Sequence, residues 1–244
     1  MDKKLVCLVA GCGTGHQPIW LAANCSKLDI LAMDLSKASI AYAMRQAKEL
    51  GHDNRIKFPG DILHLDRMEK RFDVVQCTGV LHHMQDPEKG LQKLLSRLKP
   101  GGLLNLGLYS RIARTQLGIN DIRAETPAVT LDEIRDQREK LLEDPSRLLF
   151  VSSDFYTTSE CRDLINHVQE HQFDLMGIKQ LLDRYGLTFL GFQINDRKIE
   201  QAYRSEYPDD PDMLSLDNWH QFEQKNPYIF KGMYQFHCQK GLSH

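Results

Sequence analysis

The stretch Val9-Ala10-Gly11-Cys12-Gly13-Thr14-Gly15 stands at the end of an apolar run that opens almost with the chain. Leu5–Ala10 is a short continuous apolar run ended by glycine, which predicts a buried β-strand. The apolar pattern that resumes at residues 19–23 predicts the helix that follows. Because three residues of the intervening turn lack a Cβ, a ligand can lie directly on the backbone there. Strand, glycine turn and helix together predict a nucleotide-type cradle.

The spacing of the glycines decides which nucleotide is expected. A dinucleotide-binding turn has the pattern G-x-G-x-x-G, which needs its third glycine at position 16. That position is His16, and the glycine stands at position 15 instead. No Gly-Lys-Ser/Thr follows, so a P-loop is excluded as well. A lipoprotein signal with Cys12 as the lipidated residue is disfavoured, because the apolar run is at the short limit and continues into a cofactor-binding pattern.

An acidic residue ends the second predicted strand, residues 28–33. This residue, Asp34, follows the glycines by about 20 positions, which suits a bidentate grip on ribose hydroxyls. Its alternative role is the N-cap of the helix predicted over residues 36–50, which ends at Gly51. The two roles are compatible, and we expect Asp34 to bind ribose.

The segments that follow occur in a specific order and register. They are a third strand over residues 56–58, Gly60-Asp61-Ile62, a fourth strand over 72–77, Val80-Leu81-His82-His83-Met84, a helix from Asp86-Pro87 that includes 91–98, Lys99-Pro100-Gly101-Gly102 and a fifth strand over 103–108. With G-x-G-x-G upstream, residues 4–110 resemble the Rossmann-like core of the class I S-adenosylmethionine-dependent methyltransferases.

The second half of the chain has a narrower resemblance, to bacterial methyltransferase modules often found fused behind tetratricopeptide repeats. It rests on residues 154–164, 167–171, 219–223, 226–227 and 232–236. The resemblance implies an α/β fold of seven mostly parallel strands in the order 3-2-1-4-5-7-6, with strand seven antiparallel. Residues 187–194 and 228–239 are the predicted terminal strand pair. We expect a single domain over 1–244, with a helical insert or lid at 111–186.

The resemblance implies S-adenosylmethionine as cofactor and assigns residues to its site. Asp61 would accept a hydrogen bond from the adenine amine, although a plain turn aspartate is the alternative. Many class I enzymes carry an acid two residues before the first glycine, where this chain has Val9, so backbone groups near Gly11 and Cys77 are expected to hold the ammonium. The expected cofactor-binding residues are Gly11, Cys12, Gly13, Thr14, Gly15, Asp34, Leu35, Asp61, Ile62, Cys77, Thr78, Gly79 and His83.

Candidate catalytic residues lie in two places. His82 and His83 follow strand four, at the carboxyl end of the sheet where open α/β folds bind ligands; a structural hydrogen bond beneath the cofactor is the alternative for His83. In the insert, Tyr156, Arg162 and His167 are expected to face the methyl group from a wall formed by residues 152–171. The alternative is that this segment is a solvent-exposed helix with Ser159 as its N-cap.

Composition limits the partners. With a net charge of −2 the chain has no excess of basic residues to bind nucleic acid, so nucleic acid is not an expected partner. No apolar stretch approaches the length of a membrane span, so no membrane is expected either. The six cysteines lack metal-ligand spacing, so no metal site is predicted and a reduced, cytoplasmic protein is expected. The acceptor is expected to be a small molecule, peptide or protein. Since strand one opens the chain, an upstream domain or a homodimer is a possible source of the lid.

Three function classes remain open at this point. They are a methyltransferase, a non-catalytic module that kept the methyltransferase fold, and an oxidoreductase with a Rossmann site. The position of the third glycine argues against the oxidoreductase. The intact set of Gly11, Gly13, Gly15, Asp34 and Asp61 argues against the non-catalytic module.

Overall fold

The structure is a computed structural model of the 244-residue chain. It describes residues 4–57, 62–116, 118, 122, 130–143, 155, 161, 164–165 and 169–242.

One sheet of seven strands organises the described residues. Its order is β3-β2-β1-β4-β5-β7-β6, which confirms the predicted topology. Neighbouring strands from β3 to β5 run parallel, and β6 and β7 are antiparallel. The strands are β1 Leu5–Ala10, β2 Leu28–Met33, β3 Ile56–Lys57, β4 Phe72–Thr78, β5 Leu98–Tyr109, β6 Leu187–Phe192 and β7 Met233–Lys240.

The helices begin and end largely where capping residues stand. Ser36 caps α2 by accepting from the Ser39 amide at 3.2 Å, and Asp86 caps α3 by accepting from the Lys89 amide at 2.9 Å. The helices are α1 His16–Asn24, α2 Lys37–Glu49, α3 Pro87–Arg97, α4 Arg111–Gln116, α5 Leu131–Leu142, α6 Leu175–Arg184, α7 Arg197–Glu206 and α8 Leu216–Lys225, and two 3-10 turns span Ile62–Arg67 and Leu81–His83.

The connection between β6 and β7 corrects the sequence prediction. Residues 187–194 and 228–239 were expected to be strands, but β6 ends at Phe192 and β7 begins only at Met233. Helices α7 and α8 stand between them. Each has its own cap, Asp196 for α7 and Ser215 for α8, which explains why the chain leaves the extended conformation there.

The chain divides into two compact units. The first comprises Met1–Leu108, Gln180–Gln193 and Gln235–His244; the second comprises Tyr109–Lys179 and Ile194–Tyr234. The single domain over 1–244 with an insert at 111–186 stays a prediction. No helix in the described part of the chain is both long and apolar enough to cross a membrane.

The first unit is held by an apolar cluster between β1, β2, β3 and α1. Cys7, Val9 and Ile30 from the strands and Leu21 and Ala22 from the helix are buried in it. Burying such side chains contributes ~1.5–3 kcal/mol each for residues of the size of Val or Leu.

The end of α1 is fixed to the sheet by one arginine. The Arg55 guanidinium donates to the carbonyls of Ala22 and Cys25 near the end of the helix, and to Leu28 at 3.0 Å at the start of β2. Since the last carbonyls of a helix lack partners within it, these bonds satisfy part of the end of α1.

The second unit contains a buried polar network of three side chains. The Ser110 hydroxyl donates to the Glu223 carboxylate at 2.8 Å, and the Tyr234 hydroxyl donates to both Glu223 oxygens at 2.8 Å. Burial raises the pKa of the Glu223 carboxyl. A buried acid needs such donors, because an unpaired one would lose its hydration without compensation.

Candidate functional site

The glycine turn follows β1 and begins α1. Gly11, Gly13 and Gly15 have φ angles of 77°, 53° and 93°, all in the left-handed region that favours glycine. The amides of Gly11 and Cys12 donate to the Met33 carbonyl at 2.7 and 2.8 Å, which fixes the turn to the end of β2. The turn is therefore held by the backbone on its sheet side.

The three glycines are required for different reasons. A Cβ on Gly11 would lie 2.0 Å from Cγ2 of Val80, and one on Gly15 would lie 2.6 Å from Cβ of Ala43. A Cβ on Gly13 would meet no atom of the described residues within 4 Å. Gly11 and Gly15 thus allow close packing of the protein on itself, whereas Gly13 borders open space. A cofactor lying on the backbone at Gly13 would fit this arrangement.

Asp34 lies directly beside the glycine turn. Its Oδ2 accepts from the Gly13 amide and its Oδ1 from the Ser36 amide, both at 2.8 Å. A carboxylate has about four acceptor positions, so the half-buried side chain keeps capacity for ribose hydroxyls. The alternative role as N-cap of α2 is filled by Ser36 instead. The structure adds a role that the sequence did not predict, because Asp34 also positions the turn.

The other residues predicted on the nucleoside side differ in exposure. Leu35 is 82% exposed and Ile62 only 6%, so Leu35 offers an apolar surface beyond β2 whereas Ile62 packs inward. Thr14 is exposed. Asp61 lies outside the described residues, and its adenine contact stays a prediction.

At the end of β4, the predicted residues provide mainly backbone. Burial raises the pKa of the Cys77 thiol to about 12, and burial together with the charge of Asp34 raises the pKa of the Cys12 thiol to about 12. Both are therefore protonated near neutral pH and poor nucleophiles. Thr78 donates to Oδ1 of Asn105 at 3.2 Å. At Gly79, with φ 77°, no atom of the described residues lies within 4 Å of where a Cβ would be.

The two histidines after β4 occupy different environments. His82 is fully buried, whereas His83 is half-buried, and their rings meet edge to face at 4.3 Å. Only His83 of the two has surface through which a ligand can be reached directly. Catalytic roles for both stay predictions, as do those of Tyr156, Arg162 and His167, which lie outside the described residues.

Two glutamines beside the glycine turn were missed by the sequence analysis. Nε2 of Gln17, in the first turn of α1, donates to Oε1 of Gln76, near the end of β4, at 3.4 Å. Gln76 is a polar residue between apolar ones in a predicted strand. This was the signal that could have identified it.

Part of this chain is similar to known methyltransferases. Residues 8–104 match a family model described as a methyltransferase domain. An uncharacterized protein of Synechococcus sp. is 32% identical, with 78% of this chain and 49% of the relative covered. A malonyl-[acyl-carrier protein] O-methyltransferase of Halalkalibacterium halodurans is 31% identical, with 50% of this chain and 49% of the relative covered. The chain thus spans about half the length of these curated relatives.

A solved structure supports the fold. The structure of PKMT2 from Rickettsia typhi in complex with AdoHcy superposes with a TM-score of 0.66 at 17% identity, covering 97% of this chain and 49% of that one. At this identity the likeness concerns the fold alone. Residues 8–104 thus match a methyltransferase domain, and the strand order is that of the predicted Rossmann-like methyltransferase fold.

Proposed function

We propose that this chain transfers a methyl group from S-adenosylmethionine to a small-molecule, peptide or protein acceptor. The observation that carries the proposal is the open space at Gly13, bordered by a carboxylate that is already anchored to the turn. A ligand suits both features if its ribose hydroxyls bond the carboxylate and an adjoining part lies against the backbone at Gly13. The bound cofactor supplies a methyl group already activated on a sulfonium, with a neutral thioether as leaving group.

The chain's own residues then have three tasks. The backbone at Gly11–Gly15 and Cys77–Gly79 positions the cofactor, and Asp34 fixes its ribose. The protonated thiols of Cys12 and Cys77 do not compete with the acceptor for the methyl group, because a thiol is a far weaker nucleophile than a thiolate. Holding the acceptor in line with the methyl carbon and sulfur supplies most of the barrier reduction.

A general base is required only if the attacking atom of the methyl-accepting substrate carries a proton at working pH. Of the two histidines after β4, His83 is the one with accessible surface, and it is our candidate for that task. We place the wall of the acceptor pocket in residues 152–171, with Tyr156, Arg162 and His167 facing the methyl group. Arg162→Ala and His167→Ala should then lower turnover but leave cofactor affinity intact.

The nature of the acceptor is part of the proposal. The relatives include O-methyltransferases named for malonyl-[acyl-carrier protein] and for ubiquinone biosynthesis, which supports a small or carrier-bound acceptor. A relationship to modules fused to tetratricopeptide repeats would instead favour a peptide or protein. A lid from an upstream domain or a second copy of the chain is compatible with either. The alternative, a non-catalytic module, predicts that no cofactor binds.

Asp34→Ala tests the proposed cofactor site. We expect the variant to bind S-adenosylhomocysteine ~1.5–3 kcal/mol more weakly, because it loses charge-assisted hydrogen bonds and the anchor of the Gly13 amide. The control is Asp29→Ala, on the strand that precedes Asp34, where the carboxylate forms an exposed ion pair with Lys4 at 3.6 Å. Titration calorimetry should separate the two variants. Equal affinity of Asp34→Ala and the unchanged chain would remove Asp34 from the site.

A further inference from the structure

Three polar side chains, Thr78, Asn105 and His237, form a hydrogen-bonded row across the sheet of the first unit. The Thr78 hydroxyl, at the end of β4, donates to Oδ1 of Asn105 on β5 at 3.2 Å. Nδ2 of Asn105 lies 3.0 Å from Nδ1 of His237 on β7. The strand order β4-β5-β7 places the three residues on neighbouring strands. This polar row therefore joins a histidine on β7 to a hydroxyl at the end of β4.

The members of the polar row differ in exposure. Asn105 is only 7% exposed, whereas Thr78 is half-buried and His237 is exposed. Within the described residues, the side-chain bonds of Asn105 are those to Thr78 and His237. A buried amide needs partners for both its oxygen and its amino group, because an unpaired polar group loses its hydration without compensation. The Asn105 amide can therefore satisfy itself in two ways, which differ by exchange of its oxygen and its amino group.

His237 can take up a proton directly from solvent. Gln235 and Gln239 flank it on the same face of β7, because side chains two residues apart on a strand share a face. Gly191 lies opposite it on β6, and Asn105 contacts it from β5. None of these four neighbours titrates or carries a charge. Histidine ordinarily changes its charge between about pH 5 and pH 8, so protonation of His237 is the charge change that acts on the polar row.

The protonation state of His237 determines which way the Asn105 amide can point. In the structure, Nδ2 of Asn105 faces Nδ1 of His237, which requires a neutral ring whose Nδ1 accepts. A protonated ring donates from both nitrogens, so two donors would then face each other. Reversal of the amide removes this conflict, because Oδ1 of Asn105 then accepts from His237. The amino group of Asn105 then donates to the Thr78 hydroxyl oxygen.

We propose that Asn105 is a positioning residue for the Thr78 hydroxyl and that protonation of His237 reverses its orientation. With neutral His237, the hydroxyl proton is held by Asn105, and the oxygen is free to accept from a ligand. With protonated His237, the oxygen accepts from Asn105, and the hydroxyl proton points away from it. The inference rests on the proposed function, in which the ammonium of the cofactor is expected near the end of β4. It adds control of binding by a proton at a distant, exposed residue.

The pH dependence of S-adenosylhomocysteine binding tests this control. Affinity of the unchanged chain should fall by ~3- to 10-fold from about pH 8 to about pH 5.5, because the ammonium loses an acceptor. His237→Gln should remove this fall, because glutamine offers Asn105 an oxygen but gains no proton. Thr78→Val should also remove it, since the row then ends without a hydroxyl. His52→Gln, which follows α2 and lies outside the polar row, is the control and should keep the fall.

Nuclear magnetic resonance of the ligand-free chain tests the reversal itself. The amino protons of Asn105 should have their strongest contacts with the His237 ring at about pH 8 and with Thr78 at about pH 5.5. Contacts that do not change with pH would overturn the proposal. A fall in affinity that persists in His237→Gln or in Thr78→Val would do the same, the latter because it indicates a direct effect of the His237 charge. Failure of the unchanged chain to bind S-adenosylhomocysteine at any pH would instead count against the proposed function, and the resonance measurement would still decide on the reversal.

Discussion

Gly13→Val is expected to abolish measurable binding of S-adenosylhomocysteine in a chain that still folds. The new side chain would point into the open space bordered by the turn, where no atom of the described residues lies within 4 Å. It therefore meets the ligand rather than the protein. We expect a loss of at least ~3 kcal/mol, more than about 100-fold in affinity, because an overpacked site cannot relax without moving the turn.

Gly51→Val is the matched control for this variant. Gly51 follows the end of α2 with φ 73° and, like Gly13, has no atom of the described residues within 4 Å of its Cβ position. Placing a non-glycine residue in the left-handed region costs about 1–2 kcal/mol at either position, so both variants should lose similar stability. Only Gly13→Val should lose the ligand. A folded Gly13→Val chain with native affinity would refute the cradle.

Arg114→Met is expected to lower the free energy of unfolding by about 3–5 kcal/mol, because it leaves a buried carboxylate without its counter-charge. The Arg114 and Glu170 side chains are 0% and 1% exposed. The guanidinium bonds Oε1 of Glu170 at 3.0 Å and the Leu164 carbonyl at 2.7 Å, and it lies 4.1 Å from the centre of the Tyr109 ring. Methionine keeps much of the volume but none of the donors.

Arg111→Met on the same helix is the control. Arg111 pairs with Asp174 at 2.8 Å, but its side chain is 58% exposed, so its loss should cost at most about 1 kcal/mol. Urea unfolding of both variants measures the difference. The double variant Arg114→Met, Glu170→Gln should recover part of the loss, because the unpaired charge is gone. Similar midpoints for Arg111→Met and Arg114→Met would contradict this account of the second unit.

The sequence predicted the order of elements in the first unit, because β1 and β2 are largely apolar runs that end before a glycine and an acid, Gly11 and Asp34. Leu5–Ala10 and Leu28–Met33 have the same bounds in the structure as in the prediction. The sheet order came from the resemblance, since no local pattern states which strands pair. The confirmed topology follows from the long-range pairing of apolar faces, and those contacts are invisible along the chain.

The helices between β6 and β7 were missed for a physical reason. In α7 only Tyr203 is buried, so its apolar period is too weak to stand out from a polar loop. In α8 the signal was present, because Leu216, Trp219 and Phe222 recur at helical spacing after the Ser215 cap. The sequence analysis nevertheless assigned no element to residues 195–227, between the two strands that it predicted.

Some features of the candidate site could likewise be predicted from the sequence, and others could not. Gly11, Gly13 and Gly15 indicated a cradle, because such a turn needs residues that adopt positive φ angles. Asp34 supported it, because an acid after the next strand can bind ribose. The contact of Gly11 with Val80 could not be predicted, because it depends on the distance between two turns. The same holds for Gln76, whose facing residue is known only from the register.

Titration calorimetry of the unchanged chain with S-adenosylhomocysteine and, separately, with NAD tests the central claim most directly. The G-x-G-x-G turn, with Gly13 on open space and Asp34 bonded to its amide, predicts binding of S-adenosylhomocysteine at one site per chain and no binding of NAD. Binding of NAD without S-adenosylhomocysteine would indicate a dinucleotide site and contradict the account. Binding of neither would indicate a module that kept the fold and lost the cofactor.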